Sequence, residues 1–126
     1  MLLDTQVIIW LATGAESELS AAATRCFHSA DELYLSVVSY WEIALKRGLR
    51  KLRWEEGETA SFERGLRENQ IHELPIRHAH CDVIVTLPRH HRDPFDRMLI
   101  AQAQVEKFAI LTSDKHFRAY EVKVVW

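Results

Sequence analysis

Short apolar segments alternate with longer stretches of helical periodicity along this sequence. The apolar segments predict strands at Leu2–Leu3, Leu33–Ser36, Ile71–Leu74, Ala109–Thr112 and Val122–Trp126. The stretches between them predict helices at Gln6–Ala12, Ser20–Ser29, Tyr40–Arg47, Glu58–Asn69, Arg77–Thr86 and Pro94–Lys107. Such alternation is typical of an α/β fold with a mainly parallel sheet. We therefore expect an α/β protein of about five strands covered by helices.

Length and composition indicate a single globular domain over residues 1–126. The chain is 48% hydrophobic and 27% charged, with 4 Gly and 3 Pro, and this composition is typical of a folded domain. The apolar opening contains Asp4, has no basic residues before it and is too short to cross a bilayer, so we expect neither a signal peptide nor an anchor. Cys26 and Cys81 form no C-x-x-C pair, which predicts two reduced, buried thiols in a cytoplasmic protein.

The net charge does not indicate a nucleic-acid binder. At -2 it lacks the basic excess that such proteins usually carry, so any contact with RNA needs a local patch. One candidate is the segment from Lys46 to Arg53, with five positive charges in eight residues. The alternative is a solvated basic helix end, favoured by the helix dipole.

Two acidic residues directly follow predicted strands. Asp4 comes after the first apolar segment, and Asp114 follows the strand that ends at Thr112 by two residues. In open α/β sheets, ligands bind at the carboxyl ends of the strands. If these two strands are neighbours, we expect the two carboxylates to meet at one edge.

Two further acids lie at predicted helix starts. Glu42 lies three residues after Ser39, which is the spacing of a capping box. Asp93 suits the N-cap before Pro94, and Asp96 then falls in the first turn, where the helix dipole favours a carboxylate. Capping alone would explain both segments. Four carboxylates facing one cavity would instead need a cation, and an all-oxygen site suits Mg²⁺ or Mn²⁺.

Four blocks of the sequence resemble the VapC-type toxins of the PIN-domain family. They are Leu-Leu-Asp-Thr-Gln-Val-Ile-Ile-Trp at 2–10, Ser-Tyr-Trp-Glu-Ile-Ala at 39–44, His-Arg-Asp-Pro-Phe-Asp-Arg-Met-Leu-Ile-Ala-Gln-Ala at 91–103 and Leu-Thr-Ser-Asp at 111–114. The blocks occur in the family's order and span essentially the whole chain.

The resemblance implies an α/β/α sandwich and a ribonuclease that depends on a divalent metal, Mg²⁺ or Mn²⁺. It also implies dimerisation, inhibition by a cognate antitoxin, and products with a 5′-phosphate and a 3′-hydroxyl. The residues that match the family's acidic positions are Asp4, Glu42, Asp96 and Asp114. Thr5 and Thr112 match supporting hydroxyls.

The sequence departs from the family pattern at three positions. Gln6 stands where relatives often carry histidine, and Arg50 stands where a glycine usually precedes Lys51. Lys107 stands where the family tends to end the long helix with glycine, so a left-handed residue there would cost on the order of 1 kcal/mol.

The mechanism that we predict has Asp4 and Asp96 as the principal metal ligands, with Glu42 and Asp114 completing the site. The metal would activate a water and neutralise charge on the scissile phosphate of an RNA substrate. The candidates for phosphate contacts are Lys46, Arg47, Arg92 and Arg97.

Three alternative functions compete with this interpretation. A phosphatase with a strand-end aspartate nucleophile would carry a second aspartate where Gln6 stands. A structural zinc site is disfavoured because adjacent His90 and His91 cannot easily chelate one ion. A non-catalytic module that binds RNA or protein would be favoured by loss of an acid, but all four are present.

Tryptophans 10, 41, 54 and 126 are expected to pack in the core or a dimer face.

Overall fold

Five short strands form a parallel sheet in the computed structural model, which describes residues 1–53 and 57–126. The strands are β1 (Leu2–Leu3), β2 (Leu33–Ser36), β3 (Ile71–Leu74), β4 (Ile110–Leu111) and β5 (Val124–Val125). Their order across the sheet is β3-β2-β1-β4-β5, and every pairing is parallel. The predicted sheet is therefore confirmed, although β4 and β5 are shorter than the apolar segments that contain them.

Six α-helices connect and cover these strands within the described residues. They are α1 (Thr5–Ala12), α2 (Ala21–Ser29), α3 (Val37–Gly48), α4 (Glu58–Glu68), α5 (His78–Thr86) and α6 (Pro94–Glu106). Two short 3-10 helices add Glu16–Glu18 and Lys115–Ala119. All six predicted helices are present, and the largest shift is at α3, which begins three residues before the predicted Tyr40.

The strands separate two hydrophobic clusters because successive side chains of a strand point to opposite faces. Leu3 and Leu111 pack on one face with the buried side chains of α1, α2, α3 and α4. Leu2 and Ile110 pack on the other face with α6 and the segment around Phe117. This is the predicted α/β/α sandwich. None of the helices in the described ranges is long and apolar enough to cross a membrane.

The tryptophans and cysteines of the described residues are buried to different extents. Trp10 and Trp126 pack against each other with ring centres 5.7 Å apart, whereas Trp41 is 57% exposed and does not join the core. Trp54 lies outside the described residues. Both cysteines are free, but Cys81 is exposed, so its predicted burial is wrong, because it lies on the solvent face of α5.

Three non-glycine residues of the described ranges, Arg50, Gln70 and Lys107, adopt the left-handed backbone conformation that glycine suits best. Arg50 has a φ of 55°, and Lys107 ends α6 with a φ of 58° and a ψ of 35°. A side chain in this left-handed region is strained by contact with its own backbone. The chain thus keeps left-handed turns at the two places where glycine was expected.

Candidate active site

The carboxyl ends of β1 and β4 bring the two strand-end acids together, as predicted. The strands are neighbours, with Leu3 opposite Leu111. The Thr112 hydroxyl donates to Asp4 Oδ2 at 2.6 Å and accepts the backbone N–H of Asp114 at 3.0 Å. Thr112 therefore links the two acids and orients the Asp4 carboxylate.

Asp96 lies in the first turn of α6 and faces the other acids. Asp93 is the N-cap, and its Oδ1 accepts the backbone N–H of Phe95 at 2.8 Å, as predicted. Burial raises the pKa of Asp96 to about 8, with further contributions from the charges of Asp4, Asp93, Glu42 and Asp114. Asp96 therefore holds a proton at neutral pH when no cation is present.

Glu42 occupies a different position in its helix from the predicted one. The capping box from Ser39 to Glu42 is wrong, because Ser36 is the N-cap of α3 and its hydroxyl accepts the backbone N–H of Val38 at 3.0 Å. Glu42 thus lies in the second turn and is buried. Its Oε1 is 2.6 Å from Lys46 Nζ, whereas its Oε2 is buried without a hydrogen-bond partner among the described residues.

Thr5 supports this helix rather than an acid. Its hydroxyl donates to the Ser39 Oγ at 2.9 Å, and both side chains are buried. Since Ser39 lies on α3, the contact ties the start of α1 to the helix that carries Glu42.

The surroundings shift the pKa of Asp4 and the pKa of Asp114 in opposite directions. Burial raises the pKa of Asp4, although the hydrogen bond from Thr112 opposes this, and the charge of Glu42 raises it further. Burial would also raise the pKa of Asp114, but hydrogen bonds from the backbone and side chain of His116 and from His91 outweigh it and lower the pKa. Asp114 is therefore ionised at pH values where Asp96 is still protonated.

Two histidines that the sequence did not assign lie beside these acids. His91 Nε2 is 3.1 Å from Asp114 Oδ2 and 3.3 Å from Asp96 Oδ2. His116 Nδ1 is 2.7 Å from Asp114 Oδ1. The position of His91 two residues before the helix cap was a signal of proximity to Asp96, but its contact with Asp114 spans 23 residues and has no local signature.

The four basic residues predicted to contact phosphates have different surroundings. Arg97 donates to the carbonyls of Ile84, Leu87 and Pro88, so its guanidinium caps the end of α5, and we correct its predicted role to a structural one. Lys46 is paired with Glu42, while Arg47 and Arg92 are exposed.

A divalent cation fits the chemistry of this oxygen-rich cluster. Glu42 offers a buried, unpartnered Oε2, and Asp4 is buried with only 6% exposure. Buried carboxylates are costly when ionised, and a bound cation removes that cost. Oxygen ligands of this kind suit Mg²⁺ or Mn²⁺.

The chain is similar to known proteins in family and in fold. No curated protein matches the sequence. A chain of the crystal structure of VapBC2 from Rickettsia felis bound to a DNA fragment from their promoter matches with a TM-score of 0.74 and 12% identity, over 98% of this chain and 95% of that one. A chain of a toxin-antitoxin complex from Klebsiella pneumoniae matches with a TM-score of 0.65 and 18% identity, over 99% of this chain and 95% of that one.

At these identities the two structures show that the fold is shared. The family is shown by a separate comparison, in which the model of the PIN domain matches residues 1–123. This match covers the four acids and the strands and helices that carry them. The chain therefore belongs to the PIN domain family.

Proposed function

We propose that this protein is a metal-dependent endoribonuclease and the toxin of a toxin–antitoxin pair. The observation that carries the proposal is the convergence of four acids at one edge of the sheet, where burial and neighbouring carboxylates raise the pKa of Asp96 to about 8. Membership of the PIN domain family and the fold shared with chains of toxin-antitoxin complexes support the same function.

Asp4 and Asp96 would be the principal ligands of Mg²⁺ or Mn²⁺, with Glu42 and Asp114 completing the set directly or through water. The ion supplies an activated water and positive charge beside the scissile phosphate. Thr112 keeps Asp4 Oδ2 engaged by its 2.6 Å hydrogen bond and so fixes the direction of that carboxylate. Thr5 acts through Ser39 and thereby holds α3 in place.

The substrate that we propose is RNA, cut to leave a 5′-phosphate and a 3′-hydroxyl. Arg92 is exposed one residue before the α6 cap, which places a permanent positive charge near the acidic edge. Lys46 lies next to Glu42, and Arg47 follows it on the same helix. These three side chains are our candidates for phosphate contacts, since Arg97 is committed to backbone carbonyls.

We further propose a cognate antitoxin as the partner, a homodimer as the assembly and the cytoplasm as the location. The antitoxin partner is supported by the similar structure described as a toxin-antitoxin complex and by the one described as VapBC2 bound to a DNA fragment from their promoter. The exposed Trp41 leaves a large aromatic surface available to such a partner.

RNA cleavage by the purified protein tests the proposal, with Asp96→Asn and Asp93→Asn as a matched pair on one helix turn. Wild type should cleave RNA with Mg²⁺ or Mn²⁺ and stop in excess EDTA. Asp96→Asn should abolish cleavage, whereas Asp93→Asn should keep it and lose at most about 1 kcal/mol of stability, because Asn also caps helices.

Cleavage that persists in EDTA would contradict the metal dependence. A stable but inactive Asp93→Asn protein beside an active Asp96→Asn protein would reverse the assignment of the two aspartates. Binding of RNA without cleavage under every metal condition would favour a non-catalytic PIN-like module.

A further inference from the structure

The imidazole of His91 lies between two of the four carboxylates. One nitrogen, Nε2, is within 3.1 Å of Asp114 Oδ2 and 3.3 Å of Asp96 Oδ2. The side chain is only 15% exposed, so water competes weakly for these contacts. A single ring atom thus joins an acid from the start of α6 to an acid that follows β4.

The contact of the other ring nitrogen, Nδ1, determines which nitrogen of His91 carries the hydrogen. Nδ1 accepts the backbone N–H of Asp93 at 3.1 Å. A neutral imidazole has one N–H and one lone pair, so with the lone pair on Nδ1 the hydrogen is on Nε2. The Nε2–H of His91 therefore donates to Asp114 Oδ2, and Nε2 is 3.3 Å from Asp96 Oδ2.

The loop that carries His91 is held at both ends by buried or capping side chains. The backbone N–H of His91 donates to the hydroxyl of Tyr120 at 2.6 Å, and Tyr120 is buried. Arg97 binds the carbonyls of Leu87 and Pro88 at the beginning of the loop. The ring also lies edge-on to buried Phe117, with centres 6.1 Å apart. These contacts keep the imidazole in one place.

We propose that His91 is a positioning residue, whose Nε2–H orients the Asp96 and Asp114 carboxylates for cation binding. This inference rests on the proposed metal-dependent nuclease. The donor binds one oxygen of Asp114 and lies 3.3 Å from one oxygen of Asp96, so it fixes the position of the two carboxyl groups relative to each other. Partners of this kind orient metal-binding side chains without contacting the ion.

Direct metal binding by His91 is the competing interpretation. One ligand atom each from His91, Asp114 and His116 lies within 4.8 Å of the others, and a mixed nitrogen and oxygen set suits Zn²⁺. Coordination through Nε2 would require that nitrogen to lose its hydrogen while Nδ1 still faces the Asp93 N–H. Both ring nitrogens would then need lone pairs, so the geometry favours the donor.

Three substitutions at His91 separate the two interpretations. His91→Gln places an amide N–H near the position of Nε2, His91→Asn retains only a group near Nδ1, and His91→Ala removes both. His28→Gln on α2, outside the cluster, is the matched control. The measurements are Mn²⁺ affinity by calorimetry, kcat and KM for RNA cleavage, and thermal unfolding as a check on folding.

We expect His91→Ala and His91→Asn to weaken Mn²⁺ binding by about tenfold or more and to lower kcat more than they change KM. His91→Gln should stay within about threefold of wild type, because it restores the donor. His28→Gln should match wild type in all measurements.

Wild-type Mn²⁺ affinity in His91→Ala would overturn the inference while leaving the proposed function intact. Equal losses in His91→Gln and His91→Ala would overturn it in favour of direct ligation. A wild-type protein that neither binds Mn²⁺ nor cleaves RNA would overturn the proposed function and, with it, this inference.

Discussion

The two ends of α6 both hold ionisable side chains away from water, but they satisfy them differently. At the C-terminal end, the Glu106 carboxylate contacts the Arg77 guanidinium and lies 2.8 Å from Nε2 of fully buried His80. At the N-terminal end, Asp96 faces Asp4, Asp93, Glu42 and Asp114, and the sum of burial and negative charge raises its pKa to about 8.

The two ends of α6 therefore have different roles. The C-terminal end is a structural ion network, whereas the N-terminal end is suited to bind a cation from solution. His80 Nδ1 accepts the Arg77 backbone N–H at 3.0 Å, so both of its nitrogens are used. Burial lowers the pKa of His80, which keeps it neutral and suited to donate to Glu106. No lysine or arginine of the described residues pairs with Asp96, and its contact with His91 Nε2 is at 3.3 Å. We infer that the N-terminal end is completed only when a cation binds.

His80→Ala should have the largest effect on stability, at the C-terminal end. The substitution removes two hydrogen bonds and leaves a cavity beside α6, which should cost about 3 kcal/mol. Urea denaturation measures this loss. RNA cleavage per folded molecule should be unchanged, and a matching loss of metal affinity would show that the two ends are coupled.

Asp96→Asn, at the N-terminal end of α6, should change the free energy of unfolding in the opposite direction and stabilise the metal-free protein. An acid whose pKa is raised on folding favours the folded state below its unfolded pKa and loses that contribution as pH rises to about 8. Asparagine cannot ionise and avoids this loss, so the variant should be more stable than metal-free wild type at pH 8.

The gain should shrink toward pH 4, where the wild-type acid is protonated in the folded protein. Urea denaturation in EDTA across this range provides the test. A variant that is less stable than wild type at pH 8 would contradict the raised pKa.

Thr112→Val should weaken metal binding by disconnecting Asp4 from Asp114. The substitution keeps the shape of the side chain but removes the hydroxyl that donates to Asp4 and accepts from the Asp114 N–H. We expect a loss of about tenfold in Mn²⁺ affinity, or about 1.4 kcal/mol, measured by calorimetry. Thr112→Ser keeps the hydroxyl and should retain most of the affinity; an equal loss in both variants would assign the effect to packing.

Lys107→Gly should produce the smallest effect, immediately after the structural network. Glycine suits the left-handed conformation that Lys107 adopts at a φ of 58°, so the variant should be more stable by roughly 0.5–1 kcal/mol. Thermal unfolding in EDTA would detect it. Unchanged Mn²⁺ affinity is expected, and reduced stability would show that the lysine side chain contributes more than its backbone strain costs.

The fold and the meeting of Asp4 with Asp114 were predictable because they depend on local pattern and a general rule of parallel sheets. Each acid follows an apolar strand, and the carboxyl ends of parallel strands share one edge. The cap at Asp93 was predictable for a similar reason, since Asp-Pro is a strong signal for a helix start.

The environment of Glu42 was not predictable from spacing. Ser36 and Ser39 both satisfy the local preference for an N-cap, and spacing alone does not decide between them. Because the sheet ends β2 at Ser36, Glu42 moves from the first turn into the second, where its carboxylate cannot cap the helix. Tertiary structure thus leaves this acid available to the site.

The roles of His91 and Arg97 were also not predictable from the sequence. His91 contacts Asp114 across 23 residues, and Arg97 reaches carbonyls of α5 and the following loop from α6. Both contacts depend on how α5, α6 and the segment after β4 pack together. A sequence motif indicates which residues lie close together. Their hydrogen-bond partners in the structure decide whether a basic side chain is free to bind a ligand or supports the fold.

Thermal unfolding at neutral pH, with Mn²⁺ or with EDTA, tests the metal site most directly. Mn²⁺ at ~100 times its dissociation constant should add about 2.7 kcal/mol to wild type and raise the melting temperature by roughly 10 °C. Asp96→Asn should lose most of that increase, although we expect it to be more stable than wild type in EDTA. Equal melting temperatures for wild type in both conditions, or a full Mn²⁺ increase in Asp96→Asn, would contradict a metal site built on these four carboxylates.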